Sequence, residues 1–219
     1  KGVEMSLERA AQLYKTASDR GNVYATYNLG CCYVYGHGVE KNLIEAIRLY
    51  KIASDAGDLD ATYNLAVYYE IGRGIEKNII EAIRLYKIAS DGGDLDAAYI
   101  LAAFYENGRG VEKNLKESFR LYEMASDGGN LAATLKVGSC YYNGLGIKKN
   151  YKKAFRYYQI ASNRGDLSGT NNLALCYSKW KGVEQNLSKA AQLYKTASDG
   201  GNLTATNNLG VCYAKGRGI

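Results

Sequence analysis

The sequence predicts an all-α protein, a solenoid of stacked helix–turn–helix units. Three observations carry the prediction. A Gly-Val/Ile pair recurs every 36 residues, at Gly2-Val3, Gly38-Val39, Gly74-Ile75, Gly110-Val111, Gly146-Ile147, Gly182-Val183 and Gly218-Ile219, with no insertion between them. A fixed period in the range of about 20–50 residues marks units that hide their apolar faces only by stacking on their neighbours. The 219 residues contain no proline but 25 glycines, which suits a chain of many helices ended by glycine. Finally, each period holds two apolar stripes of helical spacing, each opened by an Asn or Asp.

In sequence order, one helix of each unit spans about residues 23–35, with Leu29, Gly30 and Tyr33 returning as Leu65, Ala66 and Tyr69 and as Leu209, Gly210 and Tyr213. The other opens at Asn42, Asn78, Asn114, Asn150 or Asn186. A side-chain oxygen there accepts from a backbone N–H that the first turn leaves without a partner. Leu43, Ala46, Leu49, Tyr50 and Ala53 then form the stripe that packs inward. Gly57 and its equivalents end this helix, and Asp58 or Asn22 caps the next. The expectation is twelve helices, each about three turns and roughly 18 Å long.

Positions that never change between units read as scaffold. Tyr14, Tyr50, Tyr86, Tyr122, Tyr158 and Tyr194 are one such series, and Ala17, Ala53, Ala89, Ala125, Ala161 and Ala197 another. Small alanines let helices approach, and aromatic rings fill the space between layers.

The string Ala25-Thr26-Tyr27-Asn28-Leu29-Gly30, followed by Tyr33, Gly36-His37-Gly38-Val39, Ala46, Tyr50, Ala53 and Gly57, resembles the Sel1-like repeat, a relative of the tetratricopeptide repeat. The resemblance covers the whole sequence. It implies a right-handed α/α superhelix in which helix A carries Asn28-Leu29-Gly30 and helix B carries Ala46 and Tyr50. The protein then reads as a single array and a piece of a longer one. An orphan helix B lies within 1–20, repeats follow at 21–56, 57–92, 93–128, 129–164 and 165–200, and a final helix A lies within 201–219.

In related families the changeable stripe of helix A lines a concave groove that takes up peptide segments. Here that stripe carries Tyr27, Tyr63 and Tyr99 beside Asp60, Asp96, Glu70 and Glu106, and further on Asn171 and Asn207, with Lys179 and Lys215 making the far end basic. The expected ligand is a protein or peptide segment with a basic part and apolar side chains. A second expectation is self-association through the array ends, through Leu7 and Tyr14 at one and Leu209 and Tyr213 at the other. Nucleic-acid binding through Arg48, Arg84, Arg120 and Arg156 of helix B ranks below both. Glu45, Glu81 and Glu117 stand three residues before the first three arginines, a spacing for intrahelical pairs.

Chemistry fails on inventory. His37 is the only histidine and stands between two loop glycines, so no Ser-His or Cys-His pair is expected. No catalytic residue, cofactor or metal ligand set is predicted. Cys32, Cys140, Cys176 and Cys212 share a register filled elsewhere by Tyr68 and Phe104. This reads as a core slot, and unpaired thiols favour a reducing compartment. No stretch is long and apolar enough to span a bilayer. Trp180 stands where Gly36, Gly72, Gly108, Gly144 and Gly216 end helix A. It reads as a partner anchor or as a residue around which the loop has relaxed.

Overall fold

The structure is a computed structural model that describes residues 6–218, so the first Gly-Val pair (Gly2-Val3) and Ile219 lie outside the described residues. Twelve α-helices and no strand occur among them: α1 (Leu7–Ser18), α2 (Val23–Tyr35), α3 (Leu43–Asp55), α4 (Leu59–Ile71), α5 (Ile79–Asp91), α6 (Leu95–Asn107), α7 (Leu115–Asp127), α8 (Leu131–Asn143), α9 (Tyr151–Asn163), α10 (Leu167–Lys179), α11 (Leu187–Asp199) and α12 (Leu203–Lys215). Even-numbered helices are of type A and odd-numbered ones of type B. The described residues fall into two compact units, one reaching to Leu101 with Arg109–Val111 and the other comprising Ala102–Gly108 and the residues from Glu112 onward. Within the first unit α1 to α4 each pack on the next, and α4 packs on α5. Within the second, α7 packs on α8, and α8 to α12 pack in series.

Helix boundaries follow from caps. Asn42 accepts from the Glu45 N–H at 3.1 Å, and Asp58 accepts from the Ala61 N–H at 2.7 Å. Each B-to-A junction is closed by backbone hydrogen bonds. The Asp58 N–H closes onto the Ala53 carbonyl at 2.9 Å and the Gly57 N–H onto Ser54 at 2.9 Å, which consumes carbonyls that the helix end would leave unpaired. A side-chain bond braces the same junction. Ser18, Ser54, Ser126, Ser162 and Ser198 meet Thr26, Thr62, Thr134, Thr170 and Thr206 at 2.8–3.0 Å. In the remaining repeat the threonine is replaced by Ala98, and the buried Ser90 hydroxyl has no hydrogen-bond partner.

From α3 onward the invariant alanines and tyrosines form the core, while Tyr14 and Ala17 of α1 are half-buried. Ala53, Ala89, Ala125, Ala161 and Ala197 are fully buried, and Tyr50, Tyr86, Tyr122, Tyr158 and Tyr194 nearly so. Each ring lies across helix A. A Cβ placed on Gly30 would stand 2.8 Å from the Tyr50 ring, and one on Gly138 would stand 2.8 Å from Tyr158. This explains why only Gly or Ala occupies that position in the packed repeats. Burying a large apolar side chain is worth about 1.5–3 kcal/mol, and the tyrosines share the core with buried leucines such as Leu49, Leu85 and Leu121.

The A-to-B loop uses two left-handed residues, and they are not equivalent. The first, at Gly36, faces only the flexible Lys41 side chain. The second, at Gly182, has φ 79°, and a Cβ there would stand 2.0 Å from the Tyr151 carbonyl oxygen of the preceding helix B. Trp180 occupies the first kind of position. It keeps the left-handed conformation, with φ 54° and ψ 48°, and is the only non-glycine at positive φ among the described residues. The expectation that the loop relaxes around Trp180 is therefore corrected. The slot tolerates a side chain because it opens outward. Gln185 stands where Lys41 packs in the first repeat, and its amide donates to the Ser178 carbonyl at 2.9 Å.

Candidate functional site

The predicted tyrosine ladder is half-buried rather than displayed. In the first unit Tyr27 and Tyr63 of helices A lie 5.7 and 5.8 Å from the rings of Tyr50 and Tyr86, and Tyr99 is half-buried as well. The Tyr27 hydroxyl accepts from the Asn64 amide of the following helix A at 3.4 Å. Burial pushes the Tyr27 and Tyr63 hydroxyls above the usual phenol range, with Asp60 adding to the shift at Tyr27 and Asp96 at Tyr63. Each of these carboxylates thus stands beside a ladder tyrosine from the preceding repeat. Both aspartates are exposed.

The two glutamates are less exposed than the aspartates and are bonded to other repeats or helices. The Glu70 carboxylate accepts from the Tyr86 hydroxyl at 2.9 Å and from the Arg109 guanidinium at 2.8 Å. In the second unit Glu106 accepts from the Tyr122 hydroxyl at 2.8 Å and from the Lys136 ammonium at 2.7 Å. Burial alone would raise the Glu106 carboxyl, but the bonds from Lys136 and Tyr122 outweigh it and hold the group below the usual carboxylate range. Both glutamates are tied into the scaffold, so the exposed acidity predicted for this face comes from Asp60 and Asp96. The sequence clue was available. Glutamate occupies this register only at 70 and 106, and the position 39 residues after Glu70 is Arg109.

In the second unit Asn171 is buried and accepts from the Asn208 amide at 2.9 Å. It repeats the Tyr27–Asn64 contact four repeats on and presents little surface, a correction to its expected place on an open groove wall. Asn207 is exposed. Trp180 is 71% exposed, beside Lys152, Val183 and Glu184. At the basic end, Lys179, Lys215 and Arg217 surround a cavity whose lining includes the Tyr194 ring.

The helix B face carries the arginine ladder. Glu45, Glu81 and Glu117 hold Arg48, Arg84 and Arg120 through two nitrogens, the shorter contact being 2.6 Å in each pair. A guanidinium whose fork is spent on its own glutamate is a poor phosphate ligand. Ile44 and Ile80 on the same face are 74% and 75% exposed. His37 is exposed and stacks on Tyr35 at 5.5 Å. Cys32, Cys140, Cys176 and Cys212 are buried, as the shared register predicts, and all five thiols are free. No described helix is long and apolar enough to cross a membrane.

The family model described as the Sel1 repeat matches residues 1–22, 23–58, 59–94, 95–130, 131–166, 168–202 and 203–219. Among solved structures, the protein is similar to a Sel1 repeat protein from Oxalobacter formigenes. The identity is 33% and the TM-score 0.84, over 94% of this chain and 82% of the other. It is also similar to c5321, described as a protective antigen of uropathogenic Escherichia coli displaying an SLR fold. There the identity is 28% and the TM-score 0.89, over 95% of this chain and 45% of the other. No curated protein matches the sequence.

Proposed function

Since the chain belongs to the Sel1 repeat family, whose members generally mediate protein–protein interactions, we propose that it is a non-catalytic scaffold holding partner segments against helix A. The observation that carries this reading is the pairing of half-buried Tyr27 and Tyr63 with exposed Asp60 and Asp96 in successive repeats. Ring edges supply apolar contact, and carboxylates one repeat apart supply anchors for cations on an extended segment. The partner class is a segment with Lys or Arg flanked by apolar side chains.

Replacing Tyr63 would open a hole over Tyr86, so the exposed aspartates are the cleaner probes. The test is affinity capture from lysate with Asp60→Lys/Asp96→Lys, beside wild type and an outer-face control, Ile44→Asp/Ile80→Asp. Partners lost only from the aspartate variant support the helix A reading. Partners lost only from the isoleucine variant sink it and assign the role to the outer face.

A second reading has its own observation. Leu7 and Leu13 on α1, and Leu203 (82% exposed) and Tyr213 on α12, leave apolar surface on the outermost described helices. Stacking on further helix pairs or another copy would cover it. Light scattering that shows mass rising with concentration would favour that reading.

A further inference from the structure

Two repeats carry an internal carboxylate site of the same design. A buried helix B tyrosine donates its hydroxyl to a glutamate of helix A, and a cation from the following repeat completes the contact. The sites are Tyr86–Glu70–Arg109 and Tyr122–Glu106–Lys136. Tracing the 36-residue register forward, Tyr194 is the equivalent of Tyr86 and Tyr122, Arg217 of Arg109, and Asn208 of Lys136. Donors are kept, but the acid is gone, because Ser178 stands where the glutamates stand and faces the Tyr194 hydroxyl.

What remains is a cavity of about 270 Å³ lined by Ser178, Lys179, Tyr194, Asn208, Lys215 and Arg217, with Cys212 among its apolar residues and no acidic side chain among the described residues that line it. In the first unit the register of Cys212 is held by Tyr68, which stacks on Tyr50 at 6.0 Å. At about 30 Å³ per water, such a volume admits a carboxylate group. Lys179, Lys215 and Arg217, with the Tyr194 and Ser178 hydroxyls that face each other and the second N–H of the Asn208 amide, whose other bond goes to Asn171, are a donor set that suits a carboxylate.

We propose that this cavity receives a carboxylate from a partner segment, in the place that Glu70 and Glu106 fill in their own repeats. The inference rests on the reading that helix A binds partner segments, and it adds the chemistry at the basic end. Asp60 and Asp96 select cations in the first unit. The cavity in the second unit selects a carboxylate, borne on an acidic residue or at the C-terminus of the partner.

The test needs no natural partner, so it can fail separately from the capture experiment. The isotope-labelled protein is titrated with N-acetylglutamate amide (a carboxylate on a residue), N-acetylalanine (a terminal carboxylate), N-acetylglutamine amide and sodium sulfate at matched ionic strength. The Arg217 Nε–H and Asn208 amide resonances are followed by NMR. Saturable shifts with one of the two carboxylates and none with the glutamine probe are expected, and the tighter carboxylate names the source. Ser178→Glu supplies the carboxylate internally and should weaken probe binding at least tenfold. Arg217→Gln should weaken it at least threefold. If Ser178→Glu loses its helical circular dichroism, the exposed Arg217→Gln/Lys215→Gln pair decides. Absence of saturation, an equal response to sulfate or to the glutamine probe, or variants that bind as wild type does would overturn the proposal.

Discussion

Ser90 is where the hydroxyl pairing of the array breaks, and restoring it should stabilise the protein. In the intact repeats the threonine hydroxyl donates to the cap carbonyl four residues back, as Thr62 does to Asp58 at 2.7 Å. The serine hydroxyl then donates to threonine, as at Ser54–Thr62 (2.8 Å). With Ala98 in place of threonine, the Ser90 donor is buried and unmatched. An unmatched buried hydroxyl costs about 1–3 kcal/mol. A new hydrogen bond contributes about 0.5–1.5 kcal/mol net, from which the lower helix propensity of threonine takes roughly 0.5 kcal/mol. Ala98→Thr should therefore raise unfolding free energy by about 1–4 kcal/mol. Ser90→Ala in the wild-type background should also stabilise, by about 1 kcal/mol, because it removes the orphan group. In the Ala98→Thr background the same change should reverse sign and destabilise. That reversal belongs to a pairwise hydrogen bond and not to general packing. Urea unfolding followed by helical circular dichroism, with native-state hydrogen exchange at the α5–α6 junction, measures all four proteins. A loss of more than about 1 kcal/mol in Ala98→Thr would show that the junction has closed over the alanine. A destabilising Ser90→Ala in wild type would show that the hydroxyl is satisfied after all. Either result refutes the reasoning.

Tyr122→Phe keeps the ring and deletes the donor to Glu106. It should cost about 1.5–3 kcal/mol at neutral pH, as a bond to a charged acceptor does. Because Glu106 is held below the usual carboxylate range, its contribution is present above the unfolded carboxylate pKa and lost as pH falls through the lower folded value. The penalty of the variant should therefore shrink in acid unfolding curves, and a pH-independent penalty would contradict this. The two loop positions should respond in opposite senses. Gly182→Ala, blocked by the Tyr151 carbonyl and by φ 79°, should lose about 3 kcal/mol or more, whereas Trp180→Gly should gain about 1 kcal/mol by relieving a left-handed residue. Thermal melts decide both. The exposed helix B ion pairs should matter little. Glu45→Gln should change stability by about 0.3–0.5 kcal/mol, and that difference should vanish in high salt. Burial raises the Cys140 and Cys176 thiols to about 11 and about 12. At pH 8 both should react with iodoacetamide at least tenfold more slowly than half-exposed Cys31, as peptide mapping would read.

Features that recur at fixed spacing were legible from the sequence alone. They include the helix pairs, their Asn and Asp caps, the glycine stops, the alanine–tyrosine core and the cysteine slot. Each depends on residues within one turn of one another or on identity between repeats, so the periodic pattern carries the information. Tertiary structure decided the rest. Glu70 and Glu106 lie on the expected face but are claimed by a tyrosine 16 residues on and by cations 39 and 30 residues on, respectively. Asn171 turns inward because Asn208, 37 residues away, meets it. The space beside Gly36 against the crowding at Gly182 determines which loop glycine can become Trp180, and the crowding comes from the preceding helix B. The register of a residue can be read from its place in the repeat. Whether it is free to bind depends on what the neighbouring repeat places against it, which only the packed structure shows.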